Sequence, residues 1–245
     1  MKKVLFFAAA LLGLGTMVNA QTNIQEMYDF NREHLTTTLE GFYADDWGST
    51  FFFTDIYHPT KANEITPTGY YTEIARGLNF WKNTALAPLS LHVEWNGGQF
   101  ASNAWLFGVE YFLHSDDFRN TFTFELMYKN IQKAEKNTPV QFTFVWGMKD
   151  LFGVKGLSFS GFLDVWGEKA SWVDNNGKAE ETDWVVLSEP QIWYNIGQHF
   201  GCPNLNIGGE VEVAYNFAGG WQSGNNFYKN KGLNVAPCFG IKWVF

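Results

Sequence analysis

Two pairs of residues have the types and spacing for hydrolytic chemistry. Ser90 and His92 stand two apart in Leu89 to Asn96 and share one face if that segment is extended. A nucleophile and its base need such closeness. Glu210 and Glu212 are likewise two apart, a carboxylate pairing that glycoside hydrolysis can use. Neither pair has the company catalysis requires. The chain carries no Gly-x-Ser-x-Gly, no His-Glu-x-x-His and no phosphate loop. His34, His58, His114 and His199 fall at turns or segment ends. Cys202 lies in a turn-like Gly-Cys-Pro and Cys238 lies mid-segment. Export permits a disulfide between them, but their settings argue against it, and neither sits in metal-ligand spacing. The expectation is a protein that is not an enzyme and that needs no cofactor and no metal.

The chemistry that remains is spread along the chain at every second position. Phe122, Phe124, Leu126 and Tyr128 alternate with Thr121, Thr123, Glu125 and Met127. Val140, Phe142, Phe144 and Trp146 alternate with Gln141, Thr143, Val145 and Gly147. Leu89, Leu91, Val93 and Trp95 oppose Ser90, His92, Glu94 and Asn96. Successive side chains of a strand point to opposite faces, so each segment has one apolar face and one small or polar face. The last segment is the clearest: Leu233, Val235, Pro237, Phe239, Ile241, Trp243 and Phe245 are all apolar.

These segments run to about ten residues, the length of a tilted strand that crosses a bilayer. They fall near 22–31, 34–44, 47–57, 68–80, 87–97, 103–113, 119–130, 139–149, 157–168, 183–196, 205–217 and 233–245. The first is the weakest, and Pro190 disturbs the tenth. Twelve is an even number, as in single-chain bacterial barrels. Connections alternate between short ones, such as Asp45-Asp46 and His114 to Phe118, and longer polar ones. The longest are Lys169 to Thr182 and Ala218 to Gly232. Short turns on the periplasmic side and long loops outside are the asymmetry of outer-membrane barrels.

Composition agrees. Aromatics are 18% of residues, with 24 Phe, 11 Trp and 10 Tyr, yet mean hydropathy is only −0.20. After residue 20 no run of 18 apolar residues exists, which excludes a helical membrane protein. A barrel reconciles the two observations, because only its outward face must be apolar. Met1-Lys2-Lys3, the apolar run Val4 to Leu14 and Val18-Asn19-Ala20 form a secretory signal, with cleavage expected after Ala20. Loss of residues 1–20 takes the formal charge from −8 to −10. Nucleic acid needs a basic face, so it is excluded as a partner. The expected organisation is a signal peptide over 1–20 and one all-β, antiparallel, twelve-stranded transmembrane barrel over 21–245.

Gly41-Phe42-Tyr43-Ala44-Asp45-Asp46-Trp47, followed by Phe51-Phe52-Phe53-Thr54-Asp55, resembles the second and third strands of the Tsx-like nucleoside channels. Gly219-Gly220-Trp221-Gln222 resembles that family's Gly-Gly-Gln-Trp loop with the last two residues transposed. The resemblance implies an outer-membrane barrel with a narrow channel that passes nucleosides. The final strand, with Phe239, Ile241, Trp243 and terminal Phe245, resembles the signal that hands such barrels to the outer-membrane assembly machinery.

The strand phases then define an inward face. It carries Glu40, Asp55, Glu73, Glu94, Glu110, Glu125, Asp164, Glu189, Glu210 and Glu212 against few cations, among them Lys149 and Lys242. It also carries Phe42, Phe51, Phe53, Tyr57, Tyr71, Phe112 and Trp166. Aromatic faces stack on planar bases, and carboxylates accept hydrogen bonds from hydroxyls and amines. An acidic lumen repels phosphates and suits free nucleosides. The candidate solute path is Phe51, Phe53, Asp55, Tyr57, Tyr71, Glu73, His92, Glu94, Glu110 and Trp166, with His92 a hydrated lumen residue rather than a base. The expected function is a passive channel of the outer membrane whose partners are the bilayer, the assembly machinery and small solutes, nucleosides first. The alternative is a non-conducting barrel whose outer loops, 169–182 and 218–232, bind an external partner.

Overall fold

The computed structural model describes residues 20–59, 66–99, 101–132, 134, 139–173, 179–217, 222–223, 226–227 and 232–245. Residues 1–19 of the export signal expected over 1–20, and most of the loop 218–232, lie outside the described residues.

Twelve antiparallel strands close into one barrel. We number them β1 (Ala20–Asp29), β2 (His34–Asp45), β3 (Gly48–Tyr57), β4 (Gly69–Leu78), β5 (Leu89–Gly98), β6 (Ala104–His114), β7 (Asn120–Ile131), β8 (Val140–Lys149), β9 (Leu157–Val173), β10 (Ala179–Ser188 continued by Gln191–Tyr194), β11 (Leu205–Tyr215) and β12 (Leu233–Val244). Each strand pairs with its neighbours in sequence. The sheet closes where β12 pairs with β1, Trp243 against Ile24 and Phe239 against Tyr28. Closure removes the two edges that would expose unpaired backbone groups to lipid.

The alternation holds around the whole circumference. Phe42 faces Phe51, Phe53 faces Glu73, Ala75 faces Glu94, Ser90 faces Glu110, Glu110 faces Glu125, Glu125 faces Thr143, and Thr143 faces Asp164. Directly opposed residues share a face, so this chain of pairs traces the inner wall. The outer wall carries exposed Leu39, Ile74, Phe107, Leu126, Phe142, Ile192, Val235 and Ile241. An outside of aliphatic and aromatic groups around a polar inside is the inversion that a bilayer solvent imposes. Tyr28, Tyr70, Trp105, Tyr128, Trp184 and Tyr215 stand on this outer wall near the end away from the termini, where an interfacial aromatic girdle belongs.

Three local features bear on the sequence reading. The segment 169–182 is not all loop. β9 runs on to Val173, and Ala179 to Thr182 pair with it, Ala179 opposite Val173. Beyond the bilayer a strand no longer needs an apolar face, so its polar sequence looks like a loop. Pro190 interrupts β10, the disturbance expected in the tenth segment. Its missing N–H falls at the break, while its carbonyl still accepts from Val211 N at 3.0 Å. Gly161 on β9 passes this break with φ +151°, and a β-carbon there would come 2.4 Å from Glu189 O. Finally, β1 is fully regular, paired from Ala20 to Asp29 with β2. Cys202 and Cys238 are both free thiols.

Candidate functional site in the barrel lumen

Three groupings of inward side chains divide the lumen. The first is a strip along β2, β3 and β4. Phe51, Phe53, Asp55 and Tyr57 are every second residue of β3, seven residues end to end, or about 20 Å of strand. Phe42 stands opposite Phe51, and Tyr71 opposite Asp55. Ring centroids lie 6.0 Å apart for Phe51 and Phe53 and 5.7 Å apart for Phe53 and Tyr71. Acids interleave the rings. Asp55 accepts from the Thr38 hydroxyl at 2.5 Å, and Glu40 accepts from Asn23 at 2.8 Å. Glu73 stands opposite Phe53. All of these point inward, yet Phe51, Phe53, Asp55, Tyr57, Tyr71 and Glu73 are only half-buried, and Phe42 keeps 45% of its surface. Inward residues stay accessible only where the lumen beside them is open.

The second grouping fills the opposite part of the lumen. Ala104, Leu106, Met127, Ile131, Trp166 and Val185 form a buried apolar cluster towards the end away from the termini. Lys129 Nζ lies 3.9 Å from the Trp166 ring centroid and donates to Gln141 at 2.7 Å. The Trp166 indole donates to Glu168 at 2.7 Å. Trp166 was expected beside the solute path. It is 4% exposed and packed into this cluster, beside Val185 on the neighbouring strand and under the Lys129 ammonium from β7.

The third grouping is polar. Arg32, in the turn between β1 and β2, reaches into the lumen, where it pairs with Asp29 at 3.2 Å and with Glu212. Gln191 donates to Glu210 at 2.8 Å, and Lys242 Nζ lies 4.2 Å from the Trp193 ring. Further along, His92 lies between Glu110 and Glu94, at 2.9 and 3.3 Å.

The structure therefore brings Phe51, Phe53, Asp55, Tyr57, Tyr71 and Glu73 together, groups His92, Glu94 and Glu110 separately, and sets Trp166 apart. Sequence reasoning missed Lys129, which is in phase with Met127 and was readable. It also missed Arg32, which sits in a turn that periodicity does not address. Ser90 and His92 do share the inner face. Asn79 donates to Ser90 Oγ at 3.5 Å, while His92 turns to its carboxylates.

A closed antiparallel barrel with an apolar outer belt and a largely polar inner face is a membrane-spanning β-barrel. The chain belongs to the DUF5020 family, described as a domain of unknown function, whose model matches residues 21–245. Among solved structures it is similar to the NanC porin, at 9% identity and TM-score 0.53 over 91% of this chain and 98% of that one. It also aligns with the outer-membrane protein OmpT of Vibrio cholerae, at 8% identity and TM-score 0.39 over 94% and 99% of the two chains. OpdK from Pseudomonas aeruginosa aligns at 9% identity and TM-score 0.35 over 93% and 98%. The first likeness shows the fold. No curated protein matches the sequence.

Proposed function

We propose that this protein is a passive channel of the outer membrane, and that its solutes travel along the strip on β2 to β4. The observation that carries the reading is the accessible aromatic ladder Phe42, Phe51, Phe53, Tyr57 and Tyr71 along one side of the inner wall. A run of weak aromatic sites admits a planar solute and releases it again, which conduction requires. Asp55, Glu73 and Glu40 supply acceptors between the rings. The surrounding excess of acid favours neutral or cationic solutes over phosphates. Nucleosides fit that description, and the Tsx-like segment Gly41 to Asp55 is the segment that builds the strip. The shared porin fold fits a channel of this kind.

The test is single-channel recording in planar bilayers, with and without added nucleosides. Current steps that nucleosides interrupt at millimolar concentration are the expected result. The buried cluster around Leu106 and Trp166 favours a second reading, a barrel closed to solutes that acts through its outer loops. Purified, folded barrels that insert and give no current steps would establish it instead.

A further inference from the structure

His92 stands on the inner wall with two glycines as its cross-strand neighbours, Gly77 on β4 and Gly108 on β6. The imidazole therefore occupies a niche between taller side chains. Glu110 reaches across this niche. A β-carbon on Gly77 would meet Glu110 Oε1 at 2.2 Å, so the glycine leaves the room that the carboxylate fills. Glu110 Oε2 is 2.9 Å from His92 Nδ1. On the other side Glu94 lies 3.3 Å from His92 Nε2 and is itself held by Asn96 at 2.8 Å. Glu125 completes the group from β7, directly opposite Glu110. It is 8% exposed, and makes no hydrogen bond or ion pair with any described residue. One ligand atom each from His92, Glu110 and Glu125 lies within 4.8 Å of the others.

We infer that His92, Glu110 and Glu125 form a binding site for a divalent transition-metal ion of the Zn²⁺ or Mn²⁺ class, inside the barrel. Neighbouring ligands around an ion with bonds of about 2.1 Å stand about 3 Å apart in octahedral and about 3.4 Å apart in tetrahedral geometry, so the Nδ1 to Oε2 separation of 2.9 Å fits the first and must open by about 0.5 Å for the second. The arrangement Asn96 to Glu94 to His92 is the outer-shell support that metal-binding histidines use to fix their orientation. Only a doubly protonated His92 serves both Glu94 and Glu110, and even then Glu125 is left without a donor. Two carboxylates opposed across a strand pair repel each other unless a cation sits between them. Lys129 does not supply it, since its ammonium is engaged by Gln141 and the Trp166 ring. The imidazole selects against Ca²⁺ and Mg²⁺, which take oxygen ligands. Sequence spacing could not show the site, because its ligands come from three strands. The site stands whether or not the lumen conducts.

The test uses the full barrel without a histidine tag, folded in detergent, stripped with a chelator and titrated with Zn²⁺, Mn²⁺ and Ca²⁺ by calorimetry. One equivalent of Zn²⁺ or Mn²⁺ is expected, with no competition from a tenfold excess of Ca²⁺. Glu125→Gln and His92→Gln should each weaken binding at least tenfold, and Glu94→Gln about tenfold through the outer shell. Zn²⁺ should raise the thermal midpoint of the wild type and leave that of Glu125→Gln unmoved. If a variant does not fold, X-ray absorption on the wild-type zinc complex reads the same question, with one nitrogen and at least two oxygen neighbours expected from protein. Folded wild type that retains no ion after dialysis, or variants that bind as the wild type does, would overturn the assignment.

Discussion

Phe124 and Phe144 stack on the outer wall with ring centroids 4.8 Å apart, directly opposite each other on β7 and β8. Thr123, one residue earlier, faces inward opposite Phe112 and Val145. One step of sequence thus separates a side chain bathed in lipid from one in the lumen.

Arginine at these two positions should behave very differently. Phe124→Arg is expected to destabilise the inserted barrel by about 2–4 kcal/mol, the depth-dependent cost of a lipid-facing cation. Thr123→Arg keeps its charge in the lumen and should cost well under half as much. Reversible denaturant unfolding in liposomes, followed by tryptophan fluorescence, measures both. Equal losses would mean that the strand phases are wrong.

Phe51→Ala with Phe53→Ala tests the solute strip. Base stacking on a protein ring is worth about 1 kcal/mol or more, so removing two rings should weaken nucleoside block about tenfold or beyond. Small-ion conductance should stay level or rise, since both rings protrude into open lumen. Heat-modifiable migration on gels must first confirm that the double variant folds. Unchanged block in a folded variant would remove the strip from the solute path.

Arg32 links the first turn to the far wall. With Arg32→Ala, buried Asp29 and Glu212 lose their shared cation. Removing one partner from such a group costs about 3 kcal/mol, mostly from the charges left behind. Glu212→Gln in the same background should recover part of that loss. A double-mutant cycle by denaturant unfolding reads the coupling, and additive losses would show that the pair is not energetically linked.

Phe245 contributes to the seam. Its backbone N–H donates to Thr22 O at 2.9 Å, beyond the last residue of β12. We propose that Phe239, Ile241, Trp243 and Phe245 also carry the assembly signal. Deleting Phe245 should then lower the assembled, heat-modifiable fraction in outer-membrane preparations several-fold. An unchanged level would leave the residue with its seam contact alone.

Much of this architecture was legible before any coordinates, and the reason is local. Alternation with period two fixes which side chains share a face, so the inward placement of Asp55, Glu73, Glu94 and Glu210 follows from each strand alone. The number of strands follows from counting such segments against the thickness of a bilayer. The paired extension of β9 to Val173 was hidden for the same reason. Alternation is enforced only where one face must meet lipid, and past the rim that pressure ends.

What the strands bring together is a different matter. A phase says that Trp166 and Phe53 both point inward, but not that one is packed among Leu106, Met127 and Val185 while the other borders open space. That depends on how far each side chain reaches across a closed cylinder, which only the tertiary structure sets. The same holds for His92, Glu110 and Glu125. The sequence determined that each faces the lumen. The registers of β5 against β6 and of β6 against β7 decided that they meet, and the bare backbone of Gly77 left the space that Glu110 fills.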